Sequence, residues 1–242
     1  MNPESSESIE NMEYMEKEPL KIKHRLTEHL PHLQFITSNP NHAEQACIAG
    51  CTWIQLRIKN AGDTDYLHLA GQFRTICDLY GAVLIINDNV DVAQKVKADG
   101  VHLGREDTPV AEARKLLGEG FIIGCTANTY DDVAELSHNG ADYAGVGPFR
   151  FTTTKKHLSP ILREKGYRSI ISKCRETGIN LPLFAIGGIG TDDIEELFSL
   201  GVYGIAVSSA IGLSGNAGAK TKNFLEEIEK VKDCCKHSSP SF

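Results

Sequence analysis

Eight short apolar segments alternate along the chain with longer segments of helical periodicity, and this alternation constrains the fold more than any other feature. Short apolar runs predict buried strands, whereas apolar residues three and four positions apart predict helices. The predicted strands are Leu33–Thr37, Trp53–Arg57, Val83–Asn87, Gly100–Leu103, Phe121–Cys125, Tyr143–Val146, Leu183–Ile186 and Gly204–Val207. Strands that are apolar throughout are typical of a parallel sheet covered by crossover helices. We therefore expect an α/β protein with a single (β/α)8 TIM barrel, and a doubly wound open sheet is the alternative.

Helix boundaries are marked by capping residues and by glycine. The clearest predicted helices are Thr64–Tyr80, Thr108–Leu117, Tyr130–His138 and Thr191–Leu200. For the last three, the side chains expected to cap the N-terminus are Asp107 or Thr108, then Thr129, then Thr191. Glycines that follow apolar periodic stretches are Gly50, Gly81, Gly118, Gly140 and Gly201. We expect each of these glycines to end a helix with a positive φ angle.

The two ends of the chain differ in composition from its centre. Residues 1–25 are rich in Glu, Ser and Asn and have little periodic hydrophobicity, which indicates a disordered acidic extension. We expect the barrel domain over residues 26–233 and a flexible tail over residues 234–242. The N-terminal segment lacks the apolar core of a secretory signal, and no apolar run approaches the roughly 20 residues that span a bilayer.

Charge and cysteine content exclude several classes of function. The formal net charge is −7 and no dense Lys/Arg cluster is present, so we expect no nucleic-acid partner. The seven cysteines are scattered, with neither a CxxC pair nor a histidine at zinc spacing. Scattered thiols of this kind are typical of reduced, mostly buried cysteines in a cytoplasmic protein. The expected partners are small molecules, without a membrane, and the sequence leaves homo-oligomer formation open.

Basic side chains end the second predicted strand. Alternation along Gln55-Leu56-Arg57-Ile58-Lys59 places Gln55, Arg57 and Lys59 on one face. Active sites of such barrels lie at the C-terminal ends of the strands, and cations inside a barrel mouth are costly unless they meet an anion. We therefore favour an anion site here over the alternative, a strand end with hydrated charges.

Carboxylates follow the third and fourth strands. Asp88 lies in Asn87-Asp88-Asn89, and Asp107 ends Gly104-Arg105-Glu106-Asp107. Magnesium in proteins commonly takes one or two carboxylates, several waters and substrate phosphate oxygens. We predict that Asp88 and Asp107 bind Mg²⁺. The alternatives are a turn role for Asp88 and a helix-capping role for Asp107.

Small and hydroxyl-bearing residues follow the last three strands. The segment 147–155 ends in Thr152, Thr153, Thr154 and Lys155, which can donate to phosphate oxygens, although a polar surface loop is the alternative. Gly188 follows the seventh strand, and the pair Ser208-Ser209 follows the eighth. Loops at these places bind phosphate in many barrels. We thus expect a diphosphate subsite with Arg57, Lys59, Lys155 and the metal, and a monophosphate subsite with Gly188, Ser208, Ser209 and residues 152–154.

These motifs together resemble those of the thiamine phosphate synthase family, in the same order and over residues 33–212. The matching segments are IQLRIK (54–59), IINDNVDVA (85–93), ADGVHLGREDTP (98–109), IIGCTANT (122–129), ADYAGVGPFRFTTTK (141–155), AIGGI (185–189) and GIAVSSAI (204–211). The resemblance implies a (β/α)8 enzyme that joins 4-amino-5-hydroxymethyl-2-methylpyrimidine diphosphate to 4-methyl-5-(2-phosphoethyl)thiazole, with Mg²⁺ as cofactor. The products would be thiamine phosphate and diphosphate.

The resemblance also implies roles for individual residues. Those that would hold the pyrimidine diphosphate are Gln55, Arg57, Lys59, Asn87 and Lys155, with Arg57, Lys59 and Lys155 aiding departure of the diphosphate. Asp88 and Asp107 would hold Mg²⁺. Those that would hold the thiazole phosphate are Thr152, Thr154, Gly188, Ser208 and Ser209. Thr126 stands where the family usually has a substrate-binding Ser, and His102 is expected to be a packed or hydrogen-bonded core residue.

Four further positions depart from the family pattern. Ile58 stands in place of Glu, Arg105 in place of Gln, and Phe151 and Thr153 in place of Pro. Two other functions are compatible with the barrel. A thiazole tautomerase would not need the two carboxylates or Lys155, and a non-catalytic sensor would bind the thiazole phosphate without forming product.

Overall fold

Eight parallel strands form a closed barrel in the computed structural model, which describes residues 30–59, 62–151 and 160–237. The strands are β1 (Leu33–Thr37), β2 (Trp53–Leu56), β3 (Val83–Asn87), β4 (Gly100–Leu103), β5 (Ile122–Ala127), β6 (Tyr143–Val146), β7 (Leu183–Ile186) and β8 (Gly204–Val207). Each strand pairs with the next, and β8 pairs with β1, where Leu33 lies opposite Ile205. The (β/α)8 prediction is confirmed and the open sheet is excluded. Six of the eight predicted strands have the observed bounds, while β2 ends one residue earlier and β5 is Ile122–Ala127.

Helices surround the barrel in the expected order. They are α1 (Pro40–Ile48), α2 (Asp63–Tyr80), α3 (Val90–Lys95), α4 (Val110–Leu117), α5 (Tyr130–His138), α6 (Arg163–Glu176), α7 (Ile194–Leu200), α8 (Ser209–Gly212) and α9 (Ala217–His237). The predicted bounds of α5 are observed, and α7 follows a 3-10 turn at Thr191–Asp193. Helix α9 continues to His237, past the start predicted for the tail at residue 234. The predicted extension, residues 1–25, lies outside the described residues.

One of the three predicted N-caps is confirmed. Thr129 caps α5 and forms a capping box with Asp132. The cap predicted for α4 is wrong, because the helix begins after Pro109 and Asp107 instead accepts a hydrogen bond from the Gly104 N–H at 2.6 Å. The cap at Thr191 is also wrong.

At the 3-10 turn, an acidic side chain reaches back past the predicted cap. The carboxylate of Asp193 accepts from the N–H of Gly190, the residue before the turn, at 2.8 Å. The five helix-ending glycines all have positive φ, from 64° to 101°, as predicted.

Aromatic side chains close the N-terminal half of the barrel. Trp53 packs edge-on against Tyr143 and Phe184, with ring centroids 5.0 and 4.9 Å apart, and all three side chains are fully buried. Burial of three aromatic rings contributes strongly to core stability. Because they fill the floor, the interior of the barrel can open to a ligand at the C-terminal ends of the strands.

The cysteines fit the prediction of buried thiols. Five of the six described cysteines are buried, and these five are free thiols. Burial raises the pKa of Cys51 to about 11 and that of Cys125 to about 12, so these thiols stay protonated. Within the described ranges, no helix combines the length and the apolar composition required to cross a membrane.

Candidate active site at the C-terminal ends of the strands

Two buried amides lie side by side in the barrel mouth, on β2 and β3. Gln55 Nε2 donates to Asn87 Oδ1 at 2.8 Å, and the two side chains are 1% and 5% exposed. Gln55 Oε1 is buried and has no hydrogen-bond partner among the described residues. An unsatisfied buried acceptor is costly, so this oxygen indicates a place where a ligand N–H can bind.

Tyr66 of α2 joins the ends of the same two strands. Its hydroxyl donates to the Asn87 carbonyl at 2.6 Å and lies 3.4 Å from the Leu56 carbonyl. Burial raises the pKa of Tyr66 most, the negative charge of Asp88 raises it further, and the positive charge of Arg57 lowers it. Because both charges act on one phenol, Arg57 and Asp88 lie at the same part of the rim. Arg57 is half-buried there, and Lys59 is exposed.

Asp88 occupies a turn directly after β3. Its φ angle is +65°, in the left-handed region that Asp and Asn tolerate better than most residues. Its backbone N–H donates to the His102 carbonyl at 2.8 Å, which ties the turn to β4. The turn role considered from the sequence is thus real, and it places an exposed carboxylate at the mouth.

Asp107 folds back over the loop that follows β4. Its Oδ2 accepts from the Gly104 N–H, so the carboxylate is held by its own loop. The described residues contain no group of three or more His, Cys, Asp or Glu side chains that could hold a metal ion. Two carboxylates from adjacent strands nevertheless fit Mg²⁺, which takes few protein ligands and completes its shell with water and phosphate oxygens.

Inside the barrel, His102 of β4 bonds to one side chain of β6 and one of β5. Its Nδ1 lies 3.1 Å from the Tyr143 hydroxyl, and its Nε2 lies 3.2 Å from Thr126 Oγ1. The prediction of a hydrogen-bonded core histidine is confirmed. Tyr143 in turn accepts from Gln34 Nε2 at 3.2 Å. The sequence reasoning missed Gln34 and Tyr143, because their proximity to His102 depends on strand register.

The loops after β6 and β7 pack directly against each other. The Phe149 and Arg150 N–H groups donate to the Ile186 and Gly187 carbonyls, both at 2.9 Å. Gly188 has φ +70°, and an added Cβ would lie 2.9 Å from the Arg150 Cβ. The contact places Gly188 beside the residues that precede Thr152. The predicted ligands Thr152, Thr154 and Lys155 themselves lie outside the described residues.

Arg150 anchors this pair of loops. It forms an ion pair with Asp193, which is only 4% exposed, and its guanidinium lies 4.7 Å from the Phe149 ring centroid. The hydrogen bond with Asp193 raises the pKa of Arg150. The sequence reasoning missed the pair, because its members are 43 residues apart and no motif connects them.

The remaining predicted ligands follow β8, and the described departures from the family pattern lie elsewhere in the mouth or on its rim. Ser208 is half-buried and Ser209 exposed, at the start of the short helix α8 that follows β8. Arg105 is bound by Asp132 at the N-terminus of α5, so this departure from the family pattern has its own partner. Ile58 packs against the outer core, and Phe151 is exposed.

Comparison with known proteins identifies the family of the chain. The family model described as thiamine monophosphate synthase matches residues 32–211. The thiamine-phosphate synthase of Bacteroides fragilis is 49% identical over 199 residues, which cover 80% of this chain and 98% of that protein. That of Bacteroides thetaiotaomicron is 47% identical over 206 residues, covering 83% and 99%.

A solved structure shares both fold and sequence. The thiamine phosphate pyrophosphorylase of Pyrococcus furiosus superposes with a TM-score of 0.73 at 31% identity, covering 82% of this chain and 96% of that one. Sequence and fold thus lead to one assignment. The chain belongs to the thiamine monophosphate synthase family.

Proposed function

We propose that this transferase joins 4-amino-5-hydroxymethyl-2-methylpyrimidine diphosphate to 4-methyl-5-(2-phosphoethyl)thiazole, forming thiamine phosphate and diphosphate in the cytoplasm. Family membership supports the reaction. One observation carries the site: Tyr66 holds the ends of β2 and β3 so that Gln55, Arg57, Asn87 and Asp88 share one part of the mouth.

The first substrate fits the β2–β3 side of the mouth. The buried, unpartnered Gln55 Oε1 can accept an N–H of the pyrimidine amino group, which would satisfy that oxygen. Arg57 and Lys59 then face the diphosphate end, and Lys155 would add a third cation. Three cations near one leaving group stabilise the charge that develops on it.

Magnesium is the proposed cofactor, with Asp88 and Asp107 as its protein ligands. When bound, the ion would neutralise charge on the diphosphate. The chain itself prepares both carboxylates, since the backbone of Asp88 is tied to β4 and Asp107 is held by Gly104. Such preorganisation lowers the cost of bringing two negative groups to one ligand.

The proposed chemistry is a dissociative displacement. The bond between the methylene carbon and the diphosphate oxygen breaks, and its electron pair leaves with the diphosphate. The pyrimidine ring stabilises the resulting cation, and the thiazole nitrogen donates its lone pair to form the new C–N bond. The chain's residues act by positioning and charge neutralisation, and no protein nucleophile is required.

The second substrate is assigned to the opposite side of the mouth. Gly188 and the Ser208-Ser209 pair follow adjacent strands β7 and β8, and hydroxyl and backbone N–H groups suit a phosphate monoester. Thr152 and Thr154 would complete the subsite, because Gly188 packs against the residues that lead into that segment.

Incubating the purified full-length protein with both substrates and Mg²⁺ tests the proposal. Thiamine phosphate is detected by thiochrome fluorescence, and diphosphate release is followed in parallel. Equal amounts of the two products are expected. A tautomerase would change only the thiazole phosphate, and a sensor would bind that compound without turnover, so either result would refute the proposed reaction.

A further inference from the structure

Four inward side chains form a hydrogen-bonded chain that reaches from the barrel interior to its mouth. Gln34 Nε2 lies 3.2 Å from the Tyr143 hydroxyl, which lies 3.1 Å from His102 Nδ1, and His102 Nε2 lies 3.2 Å from Thr126 Oγ1. Gln34, Tyr143 and His102 are buried, and Thr126 is half-buried. The chain therefore links a fully enclosed amide to a side chain at the edge of the candidate site.

Two glycines make room for the rings of this chain. A Cβ added to Gly124 would lie 1.9 Å from the Tyr143 ring, and one added to Gly145 would lie 3.0 Å from His102 Cε1. The first distance is incompatible with any side chain at position 124 while the tyrosine keeps its place. The strand positions beside both rings are thus fitted to this arrangement.

The chemistry of the donors fixes which group donates in each of these hydrogen bonds. The amide N–H of Gln34 can only donate, so the Tyr143 oxygen accepts it and its own proton needs an acceptor. The nearby His102 Nδ1 is that acceptor, and a neutral imidazole that accepts at Nδ1 carries its proton on Nε2. Burial raises the pKa of Tyr143, which keeps its hydroxyl protonated.

We infer that Gln34, Tyr143 and His102 are positioning residues for Thr126. Gln34 and Tyr143 hold His102 as its Nε2–H tautomer, and His102 thereby directs the Thr126 hydroxyl proton toward an anion in the mouth. The Thr126 oxygen accepts from Nε2–H, so its own proton is left to donate to a ligand. In the other tautomer Thr126 would donate to Nε2 and would offer the anion no proton. The identity of the anion, the pyrimidine diphosphate, rests on the proposed function.

The tautomer can be measured on the free protein. Full-length chain with ¹⁵N-labelled histidines is examined by NMR at about pH 8, above the usual histidine pKa, with His102 assigned by its loss in His102→Gln. We expect the signal of a protonated Nε2 and an unprotonated Nδ1, and a larger Nδ1–H population in Tyr143→Phe. A protonated Nδ1 in the wild-type protein would overturn the inference. No substrate is involved, so this result is independent of the proposed reaction.

A double-mutant cycle tests whether the hydrogen-bonded side chains act through Thr126. We expect Thr126→Val to raise the KM for the pyrimidine diphosphate by about tenfold or more, the usual effect of losing a hydrogen bond to a charged group. Tyr143→Phe should raise this KM in the wild-type and Thr126→Ser backgrounds but not in Thr126→Val. An equal effect in all three backgrounds, as from a general packing defect, contradicts the inference.

Controls separate this effect from loss of the fold or of the reaction. Tyr203→Phe removes a hydroxyl that donates to the Leu30 carbonyl and should not alter the KM. Melting temperatures check that the variants fold. If Tyr143→Phe does not fold, the tautomer of His102 in the wild-type protein decides the question. Should the wild-type protein form no thiamine phosphate, the same cycle is run on calorimetric affinity for inorganic diphosphate with Mg²⁺.

Discussion

At the level of single residues, the site depends on side chains that fix the geometry of others. Tyr66 holds the strand ends beside Arg57 and Asp88, and Asp107 is bound within its own loop. The charged side chains proposed as ligands could be picked out in the sequence, because they follow apolar strands. Tyr66 could not, since a tyrosine in a helix is ordinary and its partner, the Asn87 carbonyl, is 21 residues away.

Asp88→Asn should separate the charge of Asp88 from its role in the turn. Asn tolerates the left-handed conformation, so we expect the melting temperature to stay close to that of the wild-type protein. Loss of the carboxylate should lower turnover by about 100-fold or more, because a ligand of the proposed metal is gone. The assay is thiochrome formation, and Asp91→Asn on the neighbouring turn of α3 is the control. Comparable activity of the two variants would refute the role of Asp88.

Arg57→Gln and Arg105→Gln form a matched pair of charge removals. Arg57 lies at the mouth, and its loss should lower kcat by about 100-fold, the usual effect of removing one stabilising group from a transition state. Arg105 pairs with Asp132 instead and is 56% exposed. An exposed ion pair contributes little to folding stability, so loss of the pair with Asp132 should disturb the structure little. Arg105→Gln should therefore change kcat by about twofold at most. Steady-state kinetics under saturating Mg²⁺ measure both values, and a reversed order would remove Arg57 from the site.

At the level of secondary structure, an Arg–Asp ion pair connects a helix to a strand at two places. Arg74 of α2 binds Asp99, which accepts from the Leu84 N–H of β3. Arg114 of α4 binds Asp142, which accepts from the Ile123 N–H of β5. Most strand bounds followed from the apolar runs. Two predicted N-caps were wrong, because the contacts of Asp107 and Asp193 depend on loop geometry that no periodic pattern encodes.

The start of α5 should make stability depend on pH. Desolvation alone would raise the pKa of Asp132, but hydrogen bonds from the Asn128 and Thr129 N–H groups, the Thr129 hydroxyl and Arg105 outweigh it and lower the pKa below its ordinary 3.8. A lowered folded-state pKa stabilises the fold above the unfolded value, and this contribution is lost as pH falls through the folded value.

Asp132→Asn should therefore lower the melting temperature at neutral pH, and the difference from the wild-type protein should shrink as the pH falls below 3.8. Thermal unfolding followed by circular dichroism from neutral pH downward measures this. Asp131→Asn, at the exposed neighbouring position, is the control. A difference that stays constant or grows in acid would contradict the assigned cause.

At the level of the whole molecule, the fold and the proposed metal site are separable. The barrel closes through strand pairing, the backbone N–H of Asp88 is bonded to β4, and the Asp107 carboxylate accepts from its own loop. The closed barrel was the favoured prediction because eight apolar strands alternate with helices, although the same pattern left an open sheet as the alternative. The meeting of the β6 and β7 loops was not, because it depends on three-dimensional proximity.

Chelation by EDTA should therefore abolish thiamine phosphate formation while leaving the melting temperature unchanged. Added Mg²⁺ together with diphosphate should raise the melting temperature, because a ligand that binds only the folded state stabilises it. Differential scanning calorimetry and the thiochrome assay measure the two effects. Unfolding on chelation would assign the metal a structural role, and full activity in EDTA would exclude it from the reaction.

The aromatic floor made by Trp53, Tyr143 and Phe184 has a kinetic consequence. Because these rings close one end of the barrel interior, both substrates of the proposed reaction would enter, and both products would leave, through the mouth. Product that has not yet departed would therefore delay the entry of the next substrate.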